Sequence, residues 1–250
     1  MIEYTEPVKF FRTLRYGKTY FNEAYERGEI DVIIEWQYAK RYLFSEPFYT
    51  LCIDLTQSKD IIFAQFAKNT KYKINRAIKQ DGIETADMTP AKEAFYTFFD
   101  EFAMTKKLNR IDRNDIDRLI EHQMFVIRAA LYKHEPVVYH TYIIANGRTR
   151  LAQSASLFRK SAEPDLRSVI GRANRLLHWE DICYFKDLGY SVYDLGGINT
   201  NTANKETLSI NNFKECFGGT EVREYKSLIP VSIKGYMYLF YKWIIGKIAY

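Results

Sequence analysis

The pair Asn146-Gly147 stands between PVVYHTYIIA and RTRLAQSASLF, two runs rich in Val, Ile, Tyr and Leu. A two-residue Asn-Gly connection favours the turn whose twist matches paired antiparallel strands, which ties these two runs into a hairpin. Upstream, MFVIRAALYKH reads as a further strand, joined through His134-Glu135-Pro136. An antiparallel meander is therefore predicted in the middle of the chain.

Helical periodicity surrounds this meander. Ser58 opens a helix through SKDIIFAQFAKNTKYKINRAIKQDG, with Ile62, Phe66, Ile74 and Ile78 near helical spacing and Gly82 as its stop. IETADM reads as a strand. Thr89-Pro90 then resembles an N-cap with Pro at the first helical position of AKEAFYTFFDEFAMTKKL, where Phe95, Phe98, Phe99 and Phe102 form a stripe, and NDIDRLIEHQ makes a second helix. After an irregular stretch holding Pro164 and Gly171, RANRLLHWEDICYFKDLG forms a helix closed by Gly189, with Leu176, Trp179 and Cys183 on one face. There follow a strand (YSVYDLGG), a polar loop with Asn199, Asn201 and Asn204, a helix with INNFKECF closed by Gly218-Gly219, and a strand in TEVREYKSLIP. Two strand-rich runs parted by Ser-Glu-Pro precede all of these, between Asp31 and Leu55. The class is α+β or mixed α/β, with a strand-rich segment and its basic helix in residues 1–88 and a second domain in residues 89–250.

Apolar residues make up 47% of the 250, and Gly and Pro together number 18 (12 + 6), which suits one large or two small globular domains and excludes disorder. The formal charge of +5 (36 − 31) permits a phosphate-bearing partner without demanding one. Cys52, Cys183 and Cys216 are widely spaced, with no CxxC and no Cys/His cluster, so neither a disulfide framework nor a metal site is expected and a reducing cytoplasm is. The amino terminus has no signal-peptide pattern, so export is not expected. At the other end the uncharged run Gly235–Tyr241 is seven residues long, far short of the roughly 20 that cross a bilayer. That segment reads as a terminal helix packed on its domain, with an amphipathic helix lying on a membrane surface as the alternative.

No Walker loop, GxSxG elbow, HExxH, CxxC pair or GxGxxG occurs. The four histidines are scattered, and a lone His is more often structural than catalytic. Two segments invite a chemical reading. In Tyr193-Asp194-Leu195-Gly196-Gly197-Ile198 a strand ends in a carboxylate and a glycine pair, which is either a ligand-approach point or an ordinary turn. In Asn211–Gly219, Phe213 and Phe217 lie one turn apart on a buried face, and Lys214, rotated about 100° from Phe213, faces either a cleft or solvent.

The succession LLHWEDICYFKDLGYSVYDLGGI, a polar loop, then NNFKECFGG resembles the carboxyl-terminal half of FemAB-like acyltransferases, relatives of the GNAT superfamily, and TKYKINRAIKQDGIET resembles an upstream helix of that family. The resemblance spans about residues 60–228. It implies a mostly antiparallel central sheet flanked by helices, and transfer of an acyl or aminoacyl group to an amine of a cell-envelope or sugar precursor. It also assigns Lys214 to charge stabilisation at the donor and Asp194 to the strand-end carboxylate, with Gly196, Gly197 and Asn199 in the cleft and Trp179 and Tyr193 as its walls. The chain is short for a bridge-forming member and shows no coiled-coil tRNA arm, which favours acetyl-CoA or another acyl-CoA over aminoacyl-tRNA as donor. Arg167, Ser168, Gly171, Arg172 and Ala173 partly match the GNAT pyrophosphate loop, with Ser in place of Gln or Arg. Two alternatives remain: a non-catalytic GNAT-fold binding module, and an RNA-binding protein using Lys68, Lys71, Lys73, Arg76 and Lys79 with Tyr72.

Overall fold

The structure is a computed structural model; it describes residues 1–26, 28–159, 161–200 and 205–246. Loop residues Asn201 and Asn204 lie outside the described residues. The strands are β1 (Ile2–Val8), β2 (Arg12–Tyr20), β3 (Val32–Tyr38), β4 (Ser45–Asp54), β5 (Ile83–Asp87), β6 (Phe125–Tyr132), β7 (Glu135–Ala145), β8 (Arg148–Ser156), β9 (Val192–Gly197) and β10 (Thr220–Pro230). The helices are α1 (Lys59–Ala64), α2 (Lys68–Arg76), α3 (Lys92–Lys106), α4 (Arg113–Glu121), α5 (Pro164–Asp187), α6 (Lys205–Glu215) and α7 (Ile233–Ile244). This is a mixed α/β chain whose strands pair mostly antiparallel.

Two compact units form: Met1–Thr50 with Glu221–Tyr250, and the continuous segment Leu51–Thr220. The division falls elsewhere than at residue 88, because Ile62, Phe66 and Ile74 join one core with Tyr142, Leu176, Tyr193 and Phe217. In the first unit β1 and β2 form a hairpin, β2 runs parallel to β3, and β10 lies antiparallel to β3.

In the second unit the order is β4-β9-β8-β7-β6-β5. Asn146 (φ 45°) and Gly147 (φ 70°) make the two-residue turn between β7 and β8 with the positive dihedrals that the Asn-Gly pair favours. The preceding turn sits at Lys133-His134, both at positive φ, and Pro136 is already inside β7. β8 and β9 run parallel, but their register covers only Arg148↔Val192 to Arg150↔Asp194. Past Arg150 the ladder stops while β8 continues to Ser156, which leaves a fork between the two strands.

Three local expectations are corrected. The helix expected from Ser58 to Gly82 is divided: Ser58 caps α1, the chain turns at Gln65–Ala67, where the Ala67 N–H donates to the Cys216 carbonyl (2.9 Å), and α2 passes into a π-helical turn over Ala77–Asp81. Thr89 does not cap α3; its hydroxyl accepts from the Ile127 N–H (2.9 Å), and residues 89–91 form a 3₁₀ turn before α3. The stretch holding Pro164 and Gly171 is not irregular, because α5 begins at Pro164, a residue suited to a first helical position.

Candidate functional site

The residues of α5 position the chemistry of the second unit. Nine of them are buried, and among the apolar ones lie His178 and Asp181, polar groups that demand partners. Asp181 finds three. Its Oδ1 accepts from Arg128 Nε at 3.0 Å, and its Oδ2 accepts from Tyr142 Oη at 2.6 Å and pairs with His140 Nδ1 at 3.0 Å. His140 Nε2 lies 2.8 Å from Asn174 Oδ1. Tyr142 and Tyr193 share a hydrogen bond of 2.7 Å, and Tyr193 Oη lies 2.9 Å from His178 Nδ1.

Counting protons along this chain fixes the tautomer of His178. The Tyr142 proton goes to the Asp181 carboxylate, because the short charged bond is the stronger one. The Tyr193 proton must then fill the tyrosine pair, so the third bond requires His178 Nδ1–H to donate. His178 Nε2 is left as the acceptor nitrogen of the ring. Burial, then the charges of His140 and Lys214, hold the His178 pKa well below its usual value, so the ring is neutral near pH 7.

His178 lines a cavity of about 670 Å³ together with Asn174 of α5, Phe102 and Lys106 of α3, Ser154 and Ser156 of β8, and Ser209, Phe213 and Lys214 of α6. This cavity opens beside the β8/β9 fork. Lys214 donates to the Gly197 carbonyl at 2.7 Å, and burial pulls its pKa down to about 8 against the opposing pull of Asp194. Gly196, at φ 78°, lets β9 pass the Leu151 carbonyl, which would lie 2.8 Å from a Cβ at that position.

The other residues singled out in the sequence fall around this cavity rather than in it. Asp194 is fully buried; Arg148 Nη2 donates to it at 2.6 Å and the Gly196 N–H at 2.7 Å, so it holds the end of β9. Tyr193 lies behind His178 in the hydrogen-bond chain, and Trp179 packs on Phe63 and Phe66 in the core. Both N–H and carbonyl of Asn199 are bonded by the Asn211 side chain.

Arg167, Ser168, Gly171 and Arg172 line a second pocket of about 500 Å³, with Tyr72, Lys73, Arg76, Phe158, Pro164 and Arg175; Ala173 is buried in the core. The five residues belong to α5, not to a loop before it, so their backbone N–H groups serve the helix and cannot cradle a phosphate. The side chains carry the positive charge instead. Among the described residues five cations and no carboxylate line the pocket, and Arg172 is neutralised in a two-point pair with Asp81 (2.5 and 2.8 Å). Burial, then the Arg175 charge, lowers the Lys73 pKa. Phe158 belongs to both pockets, and the Arg175 guanidinium lies 4.9 Å from the centre of the Phe213 ring, which links the cationic pocket to the Lys214 cavity.

Sequence reasoning did not single out His178 or Asn174 for the cavity, and it placed Lys73, Arg76 and Tyr72 only in a nucleic-acid-binding helix. His178 and Asn174 follow Arg172 on the same helix at spacings of 6 and 2 residues, but their importance depends on strands β7 and β9, and no periodicity reports that. Among the described residues no group of three or more His, Cys, Asp or Glu could hold a metal, and no helix is long and apolar enough to cross a membrane.

No family model matches the sequence, and no curated protein matches it. Solved structures do share the fold. FemX superposes with a TM-score of 0.59 at 12% identity, over 77% of this chain and 63% of FemX, so this chain spans less than two thirds of that protein. The C-terminal domain of a putative lysylphosphatidylglycerol synthetase from Agrobacterium fabrum gives a TM-score of 0.52 at 9% identity, over 86% of this chain and 73% of that one. A conserved protein of unknown function from Bacteroides thetaiotaomicron gives 0.52 at 8% identity, over 80% and 69%. The chain thus shares its fold with FemX, the fold expected from the resemblance of its sequence to FemAB-like enzymes.

Proposed function

We propose that this chain is an acyltransferase or aminoacyltransferase that moves an acyl group from a phosphate-bearing donor to an amine, with an acyl-CoA thioester as the donor and a cell-envelope or sugar precursor as the acceptor. One observation carries the reading: a buried lysine and a neutral histidine face the same cavity, and that cavity shares the Phe158 wall with a pocket of five cations. Phosphates fit the cationic pocket through charge-assisted bonds from Arg76, Arg167 and Arg175. The fold shared with FemX, and the FK..FGG match at Lys214, support the same reading.

In this reading the acceptor amine attacks the acyl carbonyl carbon, and the C=O π pair moves to oxygen as an oxyanion near the Lys214 ammonium. A proton leaves the attacking nitrogen for His178 Nε2, with the Tyr193–Tyr142–Asp181 chain holding the ring. Collapse restores the carbonyl and expels the thiolate, which takes the proton back from His178. The products are an amide and a free thiol. A cytoplasmic setting suits the donor and the three cysteines, which form no disulfide among the described residues.

Calorimetric titration with acetyl-CoA and with free CoA tests the donor. Binding of both ligands that falls at least tenfold in an Arg76→Ala/Arg167→Ala variant supports it. An undiminished affinity in that variant refutes the cationic pocket, and silence with both ligands refutes the thioester. Charged tRNA, the donor of the runner-up reading, is then titrated against the same variant.

A further inference from the structure

The outward face of α7 departs from what a surface helix ordinarily shows. Its inner side is apolar, with Gly235 and Leu239 buried and Tyr238 half-buried against β2, β3 and β10. A polar outer face would normally balance this. Instead Ile233 (82% exposed), Tyr236, Met237, Phe240, Trp243 (61%) and Ile244 face outward. At 3.6 residues per turn these six positions fall within about 120° of arc, and α7 holds no acidic residue.

A second element extends the patch. The turn between β1 and β2 carries Lys9, Phe10, Phe11 and Arg12, and Phe10 is 74% exposed with its ring 5.8 Å from that of Tyr241. Phe10 and Arg12 hold positive φ (73° and 60°), a conformation that costs a non-glycine residue energy and here keeps Phe10 at the tip. Exposed Lys9 and Arg12 border the apolar face, Lys234 on the helix is paired with Asp31 (3.8 Å), and no carboxylate belongs to the turn or the helix.

We infer that α7, with the Phe10 turn, docks this protein on the surface of a lipid bilayer that carries anionic headgroups. The chemistry matches that partner: an amphipathic aromatic and aliphatic stripe enters the headgroup boundary, and the bordering cations meet its negative charge. A second copy of the chain is a poorer occupant. A 12-residue helix is about 18 Å long and about 10 Å wide, so one face offers on the order of 200 Å² in projection, against about 800 Å² per partner in a stable interface. The inference stands apart from the transferase reading, since none of these residues lines the Lys214 cavity.

The protein is sedimented with sucrose-loaded vesicles of phosphatidylcholine alone or of phosphatidylcholine mixed with phosphatidylglycerol, whose headgroup is anionic. Partition into the anionic vesicles, at least tenfold weaker in Phe240→Glu/Trp243→Glu and weakened by salt, is the expected result. Met237→Ser/Ile244→Ser should give the same loss without added charge, with circular dichroism reporting an intact fold in both. Equal recovery of wild type and variants with the vesicles overturns the inference. So does a wild-type dimer in light scattering that either variant converts to monomer, because the face would then be covered by a second copy.

Discussion

Lys214 carries the clearest residue-level consequences. Its ammonium is desolvated, so the native state prefers the neutral amine and the pKa falls from 10.5 to about 8. If the cation stabilises the oxyanion, turnover should fall as pH rises through about 8, and Lys214→Arg should keep some activity and move that fall above pH 9. A pH–rate profile of kcat that stays flat through pH 9 in the wild type removes the cation from the chemistry. Lys214→Ala should cut kcat about 100-fold while leaving the fold unchanged. Tyr193→Phe addresses the histidine. Without the phenol oxygen His178 Nδ1–H has no acceptor, so kcat should fall about tenfold or more and stability by about 1–3 kcal/mol, the cost of leaving a buried donor unpaired. A loss of stability with an unchanged kcat would mean that the hydrogen-bond chain serves only the fold. The place of Lys214 on a cavity wall was half legible, because its offset from Phe213 and Phe217 fits a cleft and solvent alike and only the resemblance of FKECFGG to the FemAB-like pattern favours the cleft. His178 was not, because its partners lie 15 residues away on β9 and, through Tyr193, 51 residues further back on β7.

At the scale of elements, the difference between a loop and a helix over Ser168–Ala173 is open to a direct check. Gly171 has only the Phe158 ring within reach of an added Cβ, at 3.7 Å, so Gly171→Ala should be neutral or stabilise by up to about 1 kcal/mol. Gly171→Pro should cost about 3 kcal/mol or more, because it breaks the interior of α5. Urea midpoints for the pair distinguish the two, and a tolerated proline would return the segment to a loop. Gly196→Ala should be costly, from its φ of 78° and the Leu151 carbonyl 2.8 Å from the new Cβ. The meander was readable because its turns lie between adjacent strands, as Asn146-Gly147 shows. The start of α5 was not, because Pro164 serves equally well in a loop and at a helix N1 position. The break in the first helix was hidden for another reason: Ala67 donates to Cys216, far along the chain, and nothing between Ser58 and Gly82 encodes that partner.

For the whole molecule, buried ionisable groups set the pH dependence of stability, and their signs can be summed. His178 has a lowered native pKa, so below its unfolded value of about 6.5 the unfolded chain binds a proton that the native chain refuses. Stability therefore drops as pH falls below 6.5. Lys214 works in the same sense at higher pH: its penalty is fully present below about 8 and is relieved between 8 and 10.5, where the native amine is neutral while the unfolded one still holds its proton. The fall from 10.5 to about 8 corresponds to about 3 kcal/mol at most. Cys183, whose thiol burial pushes up to about 11, opposes this from about pH 9, and the tyrosines do so above pH 10. Burial raises Tyr16, Tyr38, Tyr96, Tyr142 and Tyr193, so once the unfolded phenols ionise the native state is the one that binds more protons, and stability declines. Together these groups place the maximum between about pH 8 and 10, displaced upward from the usual range of about pH 5 to 8. Urea midpoints measured from pH 5 to 11 should rise to about pH 6.5, level off, and rise again above pH 8, with Lys214→Met flattening the second rise. A maximum near pH 6 that this variant leaves in place would mean that the Lys214 ammonium is solvated, and the cavity with it.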